Sequence, residues 1–580
     1  MGKIWRVSGP LVIADDMKGS QVYEIVEIGE EGLVGEVIGL EENKAIIQAH
    51  EDTLGLRVGE KVEGTGRILS AELGPGLVGA IYDGLQKSLL TLVEGSGPFI
   101  KRGIRAPALA RNKKWHFTPE VEVGAIVSEG DIIGVVPETS LIEHRIMVPI
   151  GIDGMVKEIH EGDYTVDEPV AWLKCEEGIK ELTLMQRWPV RKPRPYRQRL
   201  DPSGLLTTGT RVMDYLFPLA LGGKASIPGG FGTGKTVALQ QLARWAQTHL
   251  NIYVGCGERG NEMSDALYSF RKLKDPNTGE LLQDKEIFIA NTSNMPVVAR
   301  EASIFVGITI AEYFRDMGYD VLLIADSTSR WAEAMREMGG RLEEMPGEEG
   351  FPSYMGSRLS SFYERSGMVE CLGNPERKGS VTTIGAVSPP GADFSEPVTQ
   401  NTLRIVDALY ALDVSLANKR HFPAINWLTS YSLYTDAVKD WWHKIYPEWL
   451  DSRGGALKIL QQEAELEEIV RLVGPEALPE GDKLLLLVAR MMREDFLQQS
   501  AYHEVDAYCT PLKAGLMLKT IMKFYELAQE MLDAGRGIEE VRSSPMVYKI
   551  SRMRDIPNEH FEQRINKLWS EMAENSAVHR

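Results

Sequence analysis

Gly229-Gly230-Phe231-Gly232-Thr233-Gly234-Lys235-Thr236 fits the spacing G-x-x-x-x-G-K-[ST]. Each residue type there has a chemical use. Glycines let consecutive backbone N–H groups turn inward around phosphate oxygens, a lysine neutralises charge at the β- and γ-phosphates, and a threonine hydroxyl offers Mg²⁺ a ligand. The stretch is therefore a candidate cradle for a nucleoside triphosphate. A glycine-rich turn that happens to precede a lysine is the alternative.

The elements on either side favour the cradle. Lys224 to Ile227 reads as a short buried strand, and Leu239, Leu242, Ala243 and Ala246 recur at helical spacing. The loop would then sit at a helix N-terminus, where unpaired N–H groups and the helix dipole attract an anion.

In open sheets ligands gather beyond the carboxyl ends of the strands, so polar residues that directly follow apolar strands are candidates. Ile252 to Gly257 runs into Glu258 and Arg259. Glu258 could polarise an attacking water and Arg259 could read a γ-phosphate; a surface ion pair capping the next helix is the other use of these two. Val321 to Ala325 ends in Asp326, which matches an acid that holds Mg²⁺ through its water shell, and Arg330 lies one turn on, within reach of the phosphates or of a neighbouring protomer. Phe422, in the run Arg420 to Trp427, could stack on an adenine face. Tyr502, on a predicted helical segment Phe496 to Tyr502, could close the other side. Aromatics at such spacings also serve ordinary cores, and His421 reads as structural.

Bulk properties narrow the class. A chain of 580 residues exceeds one hydrophobic core, and 43% hydrophobic with 25% charged residues is ordinary globular composition. The net charge of −19 disfavours nucleic acid or an anionic membrane as partner. Cys175, Cys256, Cys371 and Cys509 lie too far apart for a metal knuckle or a disulfide framework, as expected in a reducing compartment. The N-terminus starts a strand pattern instead of a signal peptide, and no apolar run is long enough to span a bilayer.

Patterning predicts a multidomain α/β protein. Glycine-punctuated β runs over 1–70 suggest a small barrel, followed by a connecting segment over 71–109 and an inserted β-rich domain over 110–190. Strand and helix then alternate over 191–435, the signature of a mostly parallel sheet, and 436–580 reads as a helical bundle. The basic stretch Trp188 to Pro195 reads as a solvated linker, with a phosphate patch as the alternative.

Taken together these residues resemble the catalytic A subunits of V-type and archaeal/bacterial A-type (V/A-type) rotary ATPases. The runs Gly255 to Met263, Ala290 to Pro296, Ala325 to Ala334, Val387 to Gly391 and Ser395 to Thr399 carry the likeness, which extends over essentially the whole chain. The resemblance implies a RecA-like nucleotide-binding domain and an insertion that F-type β subunits lack. It also implies ATP hydrolysis or synthesis coupled to H⁺ or Na⁺ transport, on the cytoplasmic side of a membrane in a peripheral complex. Three such subunits would alternate with three non-catalytic B subunits, which supply an arginine in trans, around a central stalk with peripheral stalks outside and a membrane rotor below. Lys235, Thr236, Glu258, Arg259 and Asp326 fall on the family's nucleotide site, and Phe422 and the Tyr502 segment on its adenine pocket. One residue departs: Gly230 stands where the family's cradle usually has proline. The alternatives are a nucleic-acid translocase, a type III secretion or flagellar export ATPase without the 110–190 insert, and a purely structural member of a ring.

Overall fold

The computed structural model describes residues 2–96, 103, 106–273 and 279–578. Residues 97–102 and 104–105 of the predicted connecting segment lie outside the described residues. The chain forms two compact units, one built from 1–201, 248–387 and 395–405, the other from 202–247, 388–394 and 406–580.

The first unit opens with a closed six-stranded barrel in the order Gly2–Ser8, Leu11–Asp15, Lys44–Ala49, Leu33–Glu41, Glu24–Ile28, Lys61–Ile68. Alternation explains it: Val12, Ala14, Val26, Ile28, Ile47 and Val62 point inward and are fully buried while most of their neighbours are more exposed. Two four-stranded antiparallel sheets follow between Trp115 and Thr183. A parallel sheet then runs in the order Lys378–Val387, Asp320–Asp326, Leu250–Glu258, Glu286–Thr292, Ile81–Tyr82. Its central strands are near-continuous apolar runs because both faces are covered.

The helix Val297–Asp316 is buried on nearly every side and yet carries charges, each of which has a partner. Glu301 pairs with Arg191 at 2.9 Å, and Arg191 also reaches Glu36 of the barrel at 3.2 Å. Arg194 pairs with Asp316 at 2.6 Å, and Arg365 with Glu312 at 2.5 Å. The expectation of a solvated basic linker is thereby corrected: Arg194 is a buried ion-pair partner, Arg191 is a partly buried one, and of the linker cations Lys192 is the exposed one. Their carboxylates lie more than a hundred residues away, so no local pattern announces them.

In the second unit the strand Lys224–Pro228 pairs in parallel with Ala408–Leu409, which pairs antiparallel with Tyr431–Ser432. Helices dominate the rest: Trp449–Val473, Glu480–Met491, Pro511–Asp533 and Asn558–Val578. Thr510 caps Pro511–Asp533 by accepting the Lys513 N–H, with Pro511 in the first turn. The helical register expected through Tyr502 stops earlier. A π-helical turn, Met492–Leu497, closes that helix, and 498–510 form irregular backbone. Pro545 opens the helix Pro545–Ser551 and so separates it from the short helix Ile538–Arg542.

Candidate active site

The second unit holds the candidate cradle. Lys224–Pro228 ends in the loop and the helix Lys235–Trp245 begins straight after Gly234. Two turns of the loop need glycine, since Gly232 has φ +78° and Gly234 φ +85°, both in the left-handed region. Gly229 needs it for space: a Cβ would lie 2.7 Å from Leu412 and 2.8 Å from the Thr233 hydroxyl. That hydroxyl, itself buried, donates to the Gly230 carbonyl at 2.8 Å and so ties the loop across itself. Gly230 is not in the left-handed region; a Cβ there would approach Ala392 to 3.0 Å. Lys235 Nζ donates to the Ser388 hydroxyl, a partner to which sequence reasoning gave no role. Phe231 stands 93% exposed on the loop.

Beside the loop lies a cavity of about 650 Å³ lined by Gly232, Gly234, Val237, Gln241, Phe422 and Tyr502 among others. It falls in the range of small-molecule sites. Phe422 packs over Gly234, whose added Cβ would touch the ring at 3.3 Å. Tyr502 projects from the irregular 498–510 segment, 85% exposed, and forms a lip. Both sequence-predicted aromatics thus face one cavity that adjoins the cradle. His421 directs Nε2 to the Arg493 carbonyl at 2.9 Å, and burial lowers its pKa, as suits a structural neutral imidazole.

The first unit holds the acids. Asp326 ends its strand in register with Gly255 on the neighbouring strand, so Asp326 and Glu258 sit at the same, carboxyl, end of adjacent parallel strands. Asp326 is buried and accepts from the Tyr253 hydroxyl at 2.8 Å. Burial, then the charge of Asp326, pushes the Tyr253 phenol well above its ordinary value, so it remains a donor. Sequence reasoning passed over Tyr253 as one more apolar strand residue.

A bulge between Cys256 and Glu258 turns the strand end, and Gly257, φ +73°, makes it possible. An added Cβ there would meet Arg300 and Arg330, each at 3.0 Å. Bulges of this kind re-aim side chains beside active sites. Arg330 pairs with Glu333 at 3.1 Å; that hydrogen bond, helped by the charges of Glu258 and Glu262, raises its pKa. Arg259 is the most exposed of these cations and has Glu262 at 3.9 Å.

A glycine loop between a strand and a helix, an adjoining aromatic-lined cavity, and acids at the carboxyl ends of parallel strands define a P-loop nucleotide-binding protein. The ATP synthase alpha/beta family models match in chain order: the beta-barrel domain over residues 4–66, the barrel-sandwich domain over 106–191 and the nucleotide-binding domain over 209–432. The C-terminal domain of V and A type ATP synthase matches 439–542. The A subunit of the A-type ATP synthase of Staphylothermus marinus is 64% identical over 98% of this chain and 96% of its own length. Its counterpart in Thermococcus onnurineus is 59% identical over 100% and 98%. Among solved structures, the assembled ATPase EscN from the enteropathogenic E. coli type III secretion system shares the fold. Its TM-score is 0.63 at 22% identity, covering 90% of this chain and 100% of that one.

The chain belongs to the family of A subunits of A-type ATP synthases. It is an ATP hydrolase/synthase component that works in a complex with other subunits. Among the described residues no helix is long and apolar enough to cross a membrane.

Proposed function

We propose that the cradle Gly229, Gly230, Phe231, Gly232, Thr233, Gly234, Lys235 and Thr236 holds the triphosphate of ATP while Phe422 and Tyr502 flank the adenine. The observation that carries this is the continuity of the left-handed glycine loop with the aromatic-lined cavity in one compact unit. In this reading Lys235 absorbs phosphate charge, Glu258 orients the water that attacks the γ-phosphorus, and Arg259 and Arg330 respond to the terminal phosphate. Family membership supports having Glu258, Arg259, Arg330 and Asp326 act on the same nucleotide as Lys235.

The donor set suits Mg²⁺. Thr236 offers a hydroxyl in the first turn of the cradle helix and Asp326 one buried carboxylate, acting through water. Among the described residues no group of three or more His, Cys, Asp or Glu could cage a metal. Mg²⁺ takes most of its ligands from phosphates and water, so a hydroxyl and a carboxylate suffice. Bound there, the ion would neutralise charge that develops on the phosphate oxygens.

Non-catalytic B subunits complete the site in an alternating three-plus-three ring and contribute an arginine. Central and peripheral stalks link the ring, on the cytoplasmic side of the membrane, to a rotor that moves H⁺ or Na⁺. The test is ATP turnover by the chain alone and after assembly with B subunits. The chain alone should turn over slowly, and assembly should accelerate it by about 10³-fold or more, the usual worth of such an arginine. Fast turnover by a verified monomer would refute the shared site.

A further inference from the structure

The lip that carries Tyr502 has no helix or strand to hold it, since 498–510 are irregular. Irregular backbone needs explicit hydrogen-bond partners or it moves. Here they converge on Arg211, which is 1% exposed and does not itself line the cavity. Its guanidinium donates to the Phe496 carbonyl at 2.5 Å, the Gln498 carbonyl at 2.7 Å and the Asp506 carboxylate at 2.6 Å. Asp506 in turn accepts the Ser500 N–H at 2.9 Å.

Gln499 closes the circuit. Its side-chain oxygen accepts the Arg211 N–H at 2.9 Å, and its amide nitrogen donates to the Gly209 and Asp506 carbonyls, each at 2.8 Å. Its backbone N–H donates to the Phe422 carbonyl at 2.8 Å, so the two aromatic walls hang on the same group of bonds. At the far end Tyr508 stacks on Trp245, in the last turn of the cradle helix, with centroids 4.9 Å apart. Gly209 lies so close under Tyr508 that a Cβ would fall 2.1 Å from the ring.

We infer that Arg211 is a positioning residue for the base-binding side of the site: it pre-orders Phe422 and the Tyr502 lip without touching nucleotide. This rests on the nucleotide reading above. The network ties down the base side alone; the triphosphate cradle has its own tie from Thr233 to Gly230. Loosening Arg211 therefore weakens ligands that carry a base and spares those that do not, because the cost of ordering the walls moves into the binding step.

The experiment titrates the full-length chain with MgATP and, separately, with magnesium tripolyphosphate, for wild type, Arg211→Met and Arg211→Lys. Circular dichroism and a melting curve confirm that each is folded. Arg211→Met should bind MgATP about tenfold more weakly, while tripolyphosphate affinity stays within about twofold. Arg211→Lys keeps the pair with Asp506 but not both carbonyl bonds, so it should fall between, and it keeps the test open if the Met variant does not fold. Equal losses for both ligands, or MgATP binding as in wild type, would overturn the inference and leave the nucleotide reading standing. Failure of wild type to bind MgATP would overturn both.

Discussion

Replacing Gly232 and Gly234 one at a time with alanine separates backbone strain from contact with the base wall. At Gly232, φ +78°, an added Cβ meets nothing within 4 Å, so the only cost is holding an L-residue in the left-handed region. That cost is about 1–2 kcal/mol, or about 5- to 30-fold in nucleotide affinity if the loop must keep this shape around phosphate. Gly234, φ +85°, bears the same cost, and its Cβ would also lie 3.3 Å from two ring carbons of Phe422, which must shift by a few tenths of an ångström. Gly234→Ala should therefore bind MgATP more weakly than Gly232→Ala. Calorimetric titration of the full-length chain measures both, and repeating it in a Phe422→Ala background completes the cycle. Without the ring the two alanine variants should converge. If Gly232→Ala binds like wild type, the left-handed loop is not what grips phosphate. If the gap survives removal of Phe422, the ring is not its cause.

Two further outcomes are expected. Glu258→Gln should retain nucleotide binding and lose most hydrolysis in the assembled complex; near-normal turnover would remove Glu258 from the role of orienting water. The second concerns pH. Burial pushes Glu463 up to about 7 although Arg493 stands 2.9 Å away and pulls it down. A carboxyl whose folded pKa is raised binds more protons folded than unfolded, so its contribution to stability is lost as pH rises from about 4.5 to 7. Glu463→Gln should gain melting temperature relative to wild type between pH 5 and 7.5, whereas parallel curves over that range would refute the assignment.

What could be read from the chain divides by distance along it. The cradle is written in eight consecutive residues, because Gly232 and Gly234 answer backbone demands at their own positions and Gly229 a demand for space. Glu258 and Asp326 were visible as acids that terminate apolar strands, and the barrel as alternation. The supports were not visible. Lys235 and Ser388 are 153 positions apart, Arg211 and Asp506 are 295, and Tyr253 and Asp326 are 73. Each is a polar pair made only by folding, and no local spacing encodes it. The Tyr502 segment misled for a related reason. Its helical periodicity ends where Arg211 and Gln499 offer the backbone better partners than the next helical turn.

The buried helix Val297–Asp316 also has a mechanical consequence. Through Glu301 and Arg191 it is fastened to Glu36 in the barrel, and through Glu312 and Asp316 to Arg365 and Arg194. Removing one partner of such a desolvated pair costs about 3–5 kcal/mol, so these fastenings are expensive to undo singly. A proteolytic nick in the 188–195 crossing would thus sever the covalent thread without setting the barrel adrift. The keystone would still clasp both pieces, and they should melt together.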